Sequence, residues 1–294
     1  MAEVFGTVAA ALGVAALFNN CVDTFEYIQL GRHFGDDYTL CKVRLVIAET
    51  RLIRWGEVAK INDNSRFDAS APLDKQAKLV QMILQELASH FERVQRTSER
   101  YKLGADQQQD LVLLRENNMQ KTGLAVYNQL KDFARRKQRR TGLLKKTAWA
   151  LYDGKHLKVL IDEIADLIDD LEKVFPVEDG EDGAQRLLET EIEEVKDEAS
   201  LTLLKDAAKG IDKAMSDAAA RKIDTIVGRN SAREIKTVDE GKVQVGHSFA
   251  TETLAAGMHF RDETVNSVGV VTASGKSGVQ IGNSYGGRGL FDGR

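Results

Sequence analysis

Asn230-Ser231-Ala232-Arg233-Glu234-Ile235 and Asn266-Ser267-Val268-Gly269-Val270-Val271 open two related stretches near the end of the chain. Each is followed by a strand-like segment bounded by glycine, Lys242-Val243-Gln244-Val245-Gly246 and Gly278-Val279-Gln280-Ile281-Gly282. The offset between equivalent positions is 36 residues in every case. If each stretch is one winding of a β-solenoid, residue i lies over residue i+36 at about 4.8 Å. Asn230 over Asn266 and Gln244 over Gln280 then form amide ladders. Ala232 over Val268, Ile235 over Val271, Val243 over Val279 and Val245 over Ile281 form dry apolar columns. Glu240 over Lys276 makes an opposite-charge pair at stacking distance. Gly246 and Gly282 are corners, with Gly241, Gly275 and Gly278 serving other bends. Two windings cannot cover their own upper and lower edges, because solenoids need three repeats or caps. A lone tail is therefore expected to be disordered or loosely formed, and to become a β-solenoid by stacking on other copies as amyloid.

Outward from the repeat, composition marks where the tail begins. Residues 223–294 hold 12 of the 24 glycines, no proline and only two leucines, Leu254 and Leu290. Their charges cancel, so the net charge of −4 belongs to residues 1–222. That front part carries both prolines, Pro72 and Pro176, and reads as long helices. An apolar stripe over 39–60 runs through Leu40, Val43, Val46, Ile47 and Ile53. Ser70-Ala71-Pro72 reads as the start of a second helix, with Leu79, Met82, Ile83, Leu87 and Phe91 facing inward. Helical patterning continues over 107–138, over 157–175 and as one last helix over 184–223, and no strand is expected before 223. The expected fold is an all-α bundle over 1–222, followed by a 223–294 segment with repeats at about 226–247 and 262–283.

Residues 4–22 carry no charged side chain. As a helix they would span about 28 Å, close to the thickness of a bilayer core. Val4, Phe5, Val8, Leu12, Val14, Leu17 and Phe18 supply the apolar mass. The start Met1-Ala2-Glu3 lacks the positive charge of a secretory signal. At rest this segment is expected to be a buried core helix, and the sharper reading is one that enters membrane later. The run Arg135, Arg136, Lys137, Arg139, Arg140, Lys145 and Lys146 reads as a solvated helix face. Attraction to anionic lipid and a nucleic-acid patch are the other readings, and the lack of interleaved aromatics argues against the last. The five histidines, His33, His90, His156, His247 and His259, show no metal-ligand spacing with Cys21, Cys41 or one another. No phosphate-cradling glycine loop or nucleophile elbow is present. No cofactor and no enzymatic activity are expected, and two cysteines suit a reducing cytosol.

Long runs in this sequence resemble one family. In the front part they are Leu17-Phe18-Asn19-Asn20-Cys21-Val22-Asp23, Gln29-Leu30-Gly31-Arg32 and Lys145-Lys146-Thr147-Ala148-Trp149-Ala150-Leu151-Tyr152-Asp153-Gly154-Lys155. Asp197-Glu198-Ala199-Ser200-Leu201-Thr202, Ile226-Val227-Gly228-Arg229-Asn230-Ser231-Ala232 and Ile281-Gly282-Asn283 continue the match. Together they are similar to the fungal HET-s/HET-S heterokaryon-incompatibility proteins, built from a helical HeLo domain and a prion-forming domain. The resemblance implies a two-rung β-solenoid amyloid. It implies self-assembly, cross-seeding by related prion domains and triggering by an NLR-type receptor with a matching amyloid motif. It also implies a HeLo-domain dimer, and release of the N-terminal segment from a cytoplasmic protein into the plasma membrane, with cell death as the outcome. A non-toxic prion partner of such an effector is the second reading, and a soluble helical adaptor with a basic nucleic-acid face the third; no nucleic acid is expected under the first two. His33 lies where toxic and non-toxic members differ and suits the toxic kind. The chain departs from the family pattern at Val238/Ser274, which lacks a charged pair, and at His247, which faces Asn283. It also has Tyr285, Leu290 and Phe291 in place of a terminal cluster containing Trp.

Overall fold

The computed structural model describes residues 13–67, 72–104, 112–138, 148–175, 181–227, 230–246, 248–249, 266–282 and 284–285. Val4, Phe5, Val8 and Leu12 of the expected membrane segment lie outside these. The chain divides into two units, Met1–Ala219 and Ala220–Arg294.

The first unit is helical. Among the described residues its helices are α1 (Val14–Phe25), α2 (Tyr38–Val58), α3 (Lys75–Gly104), α4 (Lys121–Lys137), α5 (Gly154–Val174), α6 (Glu181–Ile192) and α7 (Glu198–Ala208). An eighth, α8 (Lys213–Val227), contains the division between the units. Aspartates fix several starts by accepting from backbone amides that have no partner within the first turn. Asp74 accepts from Ala77 N at 2.9 Å, Asp153 from Lys155 N at 2.8 Å, Asp197 from Ser200 N at 2.8 Å and Asp212 from Met215 N at 3.0 Å. These hydrogen bonds hold the Asp197 carboxyl below the usual carboxylate range.

α2 is the axis of the unit. It packs against α1, α4, α5, α6 and α7, so its residues are buried on every side. α3 buries Ala77, Val80, Leu84, Leu87 and Phe91, whereas Leu79 and Met82 of the expected stripe face outward. Leu87 and Phe91 face inward as expected, while in the first two turns the inward row runs through Ala77, Val80 and Leu84; the helix begins at Lys75, capped by Asp74, and not at Pro72. α5 buries Leu160, Ile161, Ile164, Ile168 and Leu171, as its spacing predicts.

Three further expectations are corrected. The front unit does contain strands. β1 (Ile28–Leu30) pairs in parallel with β2 (Trp149–Leu151), and Gly31 bridges Leu113. Three-residue strands joined across more than a hundred residues leave no periodicity to read. Helix does not fill 107–138: residues 113–118 hold a bridge and a 3-10 turn, and α4 starts at Lys121. The single last helix is three helices, broken by a turn after Ile192 and again at Gly210, whose φ of 76° favours glycine at a helix end.

The second unit holds β3 (Asn230–Thr237), β4 (Lys242–Val245), β5 (Ser248–Phe249), β6 (Asn266–Ala273), β7 (Gly278–Ile281) and β8 (Ser284–Tyr285). They form three two-stranded parallel sheets, β3 with β6, β4 with β7 and β5 with β8. Parallel pairing of equivalent segments produces two stacked rungs.

Candidate functional site

Three arrangements carry the functional argument: a sheltered N-terminal helix, a charged clamp on the segment leading to α8, and the paired rungs.

α1 is buried along most of its length. Val14, Leu17 and Cys21 are fully buried, and Phe18, Asn19, Asn20, Val22 and Phe25 nearly so. Gly56 on α2 admits Phe18, since a Cβ there would lie 2.2 Å from the ring. Trp55 closes the same contact with ring centroids 6.0 Å apart, and Phe25 meets Phe91 edge-on at 5.2 Å. Asn19 donates to Asn62 Oδ1 at 2.6 Å and to Ala15 O at 2.8 Å, and Cys21 Sγ donates to Leu84 O at 3.4 Å. Of the expected membrane residues that are described, Val14, Leu17 and Phe18 are thus core residues here. Among the described residues no helix is long and apolar enough to cross a membrane. His33 is exposed in the short 3-10 stretch Arg32–Asp37 that follows β1.

The clamp sits at the C-terminal half of α2. Arg54 donates to Glu191 on α6 at 2.7 Å and to Asp212, and all three side chains are buried. Arg51 donates to the carbonyl of Ile211 at 2.6 Å, to Glu172 at 2.8 Å and to Asp169. Two arginines one helical turn apart therefore hold the Ile211-Asp212 link from which α8 starts. Asp212 does double duty, binding Arg54 with one oxygen and capping α8 with the other. One guanidinium faces two carboxylates at Arg54. Burial pushes Glu191 up to about 7, against the pull of Arg54 and with the help of Asp212, and its Oε1 has no hydrogen-bond partner. Nearby, Lys131 of α4 donates to both oxygens of buried Glu49, at 2.9 and 2.8 Å. None of these pairs was singled out from the sequence. Asp212 following Gly210 is the one legible signal, a helix end with the next helix start.

In the tail the register sets Asn230 against Asn266, Ala232 against Val268, Ile235 against Val271, Val243 against Val279, Gln244 against Gln280 and Val245 against Ile281. Gly282 N donates to Val245 O at 2.8 Å, and Gly278 N to Gly241 O at 2.8 Å. Gly246 and Gly282 have φ of 121° and 113°. A Cβ at Gly246 would lie 2.8 Å from the Gly282 carbonyl oxygen, so close approach and backbone angle both demand glycine. Glu240 and Lys276 occupy equivalent places in the two bends, and within the single chain no ion pair joins them among the described residues. The left-handed position opposite Gly275 (φ 73°) is taken by Asp239 (φ 58°), which the glycine count missed. Ile235 is 6% exposed, while its partner Val271 is 43% exposed and Val270 and Ile281 are similarly open. Gln244 Nε2 is buried without a hydrogen-bond partner.

A bundle that buries the apolar helix α1, followed by a tail of two paired rungs, defines a class of two-part protein. Comparison with known proteins places it. The HeLo family model, described as "Prion-inhibition and propagation", matches residues 6–204, and the "Het-s 218-289" model matches residues 222–286. Heterokaryon incompatibility proteins s and S of Podospora anserina are each 54% identical over 292 residues, covering 99% of this chain and 100% of theirs. The solved structure of the HET-s N-terminal domain superposes with a TM-score of 0.70 at 57% identity, covering 74% of this chain and all of that one. A mutant structure of the same domain gives 0.68, covering 72% of this chain. The chain belongs to the HET-s heterokaryon-incompatibility family, with a HeLo domain followed by a HET-s prion-type segment.

Proposed function

We propose that this protein is an amyloid-controlled, membrane-permeabilising effector of heterokaryon incompatibility, cytoplasmic at rest and acting at the plasma membrane. The observation that carries the reading is the two-rung parallel register with an open upper rung. Exposed Val270, Val271 and Ile281 and the orphan Gln244 amide are what another rung would cover or satisfy. Conversion to fibre draws on the residues next to β3, and α8 ends only two residues before that strand. Unwinding α8 removes the cap that Asp212 supplies and loosens the Arg51/Arg54 clamp. The core that shelters α1 is thereby weakened, and residues 4–22 enter membrane. Self-assembly, cross-seeding by related prion domains and triggering by an NLR-type receptor are the partners this reading implies. The reaction is a refolding and needs no cofactor or enzymatic step.

The test is seeded liposome leakage. Full-length protein is mixed with dye-loaded vesicles and fibril seeds of residues 223–294. Leakage that follows tail conversion supports the reading; complete conversion with intact vesicles sinks it. Val14→Lys should abolish leakage while fibre growth continues, because a lysine near the centre of an inserted 4–22 helix costs about 2.5–3.5 kcal/mol.

A further inference from the structure

One stretch of the helical unit runs against the charge of its surroundings. Residues 135–146 hold seven basic side chains and no acidic one, in a 1–222 part whose net charge is −4. The rest of that part therefore stands at −11. Arg135, Arg136 and Lys137 form the last turn of α4, and the other four cations follow in sequence, outside the described residues. Arg135 and Arg136 are exposed. Among the described residues Arg135 pairs only with Asp132, at 3.6 Å and open to solvent, and Arg136 pairs with no carboxylate. An exposed pair of that kind adds little. A helix C-terminus favours cations, which accounts for the last turn, but that effect ends within the turn while the basic run goes on to Lys146.

The same turn ties α4 to the seat of α1. Lys137 donates to Glu57 at 2.9 Å, and Glu57 follows Gly56, the residue that admits Phe18. Gln138, whose N–H closes the helix on Ala134 O at 2.8 Å, donates its side-chain amide to Asp23 of α1. Lys137 and Glu57 are half-buried, so their pair can be reached from solvent. An anionic surface that meets Arg135 and Arg136 therefore also competes with Glu57 for Lys137. The sequence of the run places Leu143-Leu144 between its cations and contains no aromatic residue. Apolar residues among cations suit a bilayer interface, whereas nucleic-acid bases would find no ring to stack on.

Resting on the membrane-acting reading above, we propose that the last turn of α4 is a docking surface for an anionic bilayer, centred on Arg135 and Arg136, and that the bilayer competes with Glu57 for Lys137. Docking loosens the tie between α4 and the seat of α1 at the surface that α1 is to enter. A single copy binds weakly, since each basic residue near such a surface strengthens binding only about fivefold. Copies gathered in one fibre dock together, so conversion concentrates the protein on the membrane.

Flotation of the full chain, without seeds, on vesicles of phosphatidylcholine with about 30% phosphatidylserine measures docking, with pure phosphatidylcholine vesicles as the reference. The chain should bind the anionic vesicles and not the pure ones. Arg135→Ser with Arg136→Ser should weaken binding about 25-fold, at an unchanged urea midpoint because both side chains are exposed. Binding should vanish at about 1 M salt, where the Debye length falls to about 3 Å. Glu57→Gln releases Lys137 and should strengthen binding by up to about fivefold. An unchanged affinity in that variant overturns the competition with Glu57. Equal binding to both kinds of vesicle, or no loss in the double-serine chain, overturns the surface. So does a duplex DNA that binds more tightly than the anionic vesicles and strips the chain from them. Docking of the unseeded chain needs neither tail conversion nor insertion of residues 4–22. Seeded anionic vesicles that stay intact while docking persists therefore count against the permeabilising reading and leave this surface standing.

Discussion

Arg54→Met is the sharpest perturbation of the helical unit. It keeps a long apolar stem where the arginine stem lies, and it removes the cation shared by Glu191 and Asp212. Those side chains are 0% and 1% exposed, so neither can recover its hydration without opening the bundle. Leaving one side of a buried ion pair unpaired costs about 3–5 kcal/mol. Domains of this kind are stable by about 5–15 kcal/mol in total, so the loss is a large fraction. Urea unfolding of the full chain, followed by tryptophan fluorescence, measures it. The chain has two tryptophans, Trp55 and Trp149, and both are buried in the helical unit. Trp55 also packs on Phe18, so its emission reports the departure of α1. The variant should unfold at lower urea and should leak vesicles at a lower dose of seed. Asp212→Asn serves as the companion, because asparagine caps a helix about as well as aspartate and so isolates the charge. A loss below about 1 kcal/mol for Arg54→Met would refute the clamp, since it would show that the two carboxylates are neutralised or hydrated without the arginine.

Glu191→Gln tests the surplus carboxylate. Its carboxyl is pushed up to about 7 from an ordinary 4.5, so the folded state binds this proton more tightly than the unfolded state. Its contribution to stability is fully present below about pH 4.5 and is lost as pH rises through about 7. The variant should therefore gain stability relative to wild type across that window, and parallel stability curves would contradict the assignment. Gly56→Leu drives a side chain into the Phe18 ring, which a Cβ alone would approach to 2.2 Å, and should cost about 1–3 kcal/mol in urea unfolding. An unchanged unfolding midpoint would mean that α1 is not seated there. Gly246→Ala combines a φ of 121° with a Cβ 2.8 Å from the Gly282 carbonyl oxygen. Strain of about 1–3 kcal/mol per rung should nearly stop seeded growth while the urea midpoint of the helical unit stays put, and normal growth would rule out this corner.

The sequence displays the rungs clearly because a repeat carries its own register. Asn230 and Asn266, or Val243 and Val279, need no tertiary information to be placed together. The helices α2, α3, α4 and α5 are legible for a related reason: an apolar period of 3.6 is a local signal, accurate to about a turn. Gly210 and Asp212 show where local reading fell short. Each is an ordinary helix-end or helix-start residue, yet within a long run of helix-favouring residues neither outweighs its neighbours. β1 and β2 are invisible for the opposite reason, since their pairing is purely long-range.

The clamp is the part that amphipathic reading inverts. In a helix with one buried face, arginines and glutamates between apolar residues mark the solvent side. α2 has no solvent side over most of its length, because five other helices surround it. Glu49, Arg51 and Arg54 are therefore buried, and each charge survives there only with a partner from another helix or turn, respectively Lys131, Glu172 with Asp169, and Glu191 with Asp212. Such pairs add little stability over an apolar filling but cost several kcal/mol when one partner leaves. That asymmetry suits the refolding proposed above, in which the bundle holds firmly and then gives way as a whole. An apolar core would loosen gradually if α8 were withdrawn, whereas losing Asp212 takes from Arg54 one of the two buried carboxylates it binds. The place where the fold is least legible in the sequence is thus the place on which the proposed coupling of α8 to α1 rests.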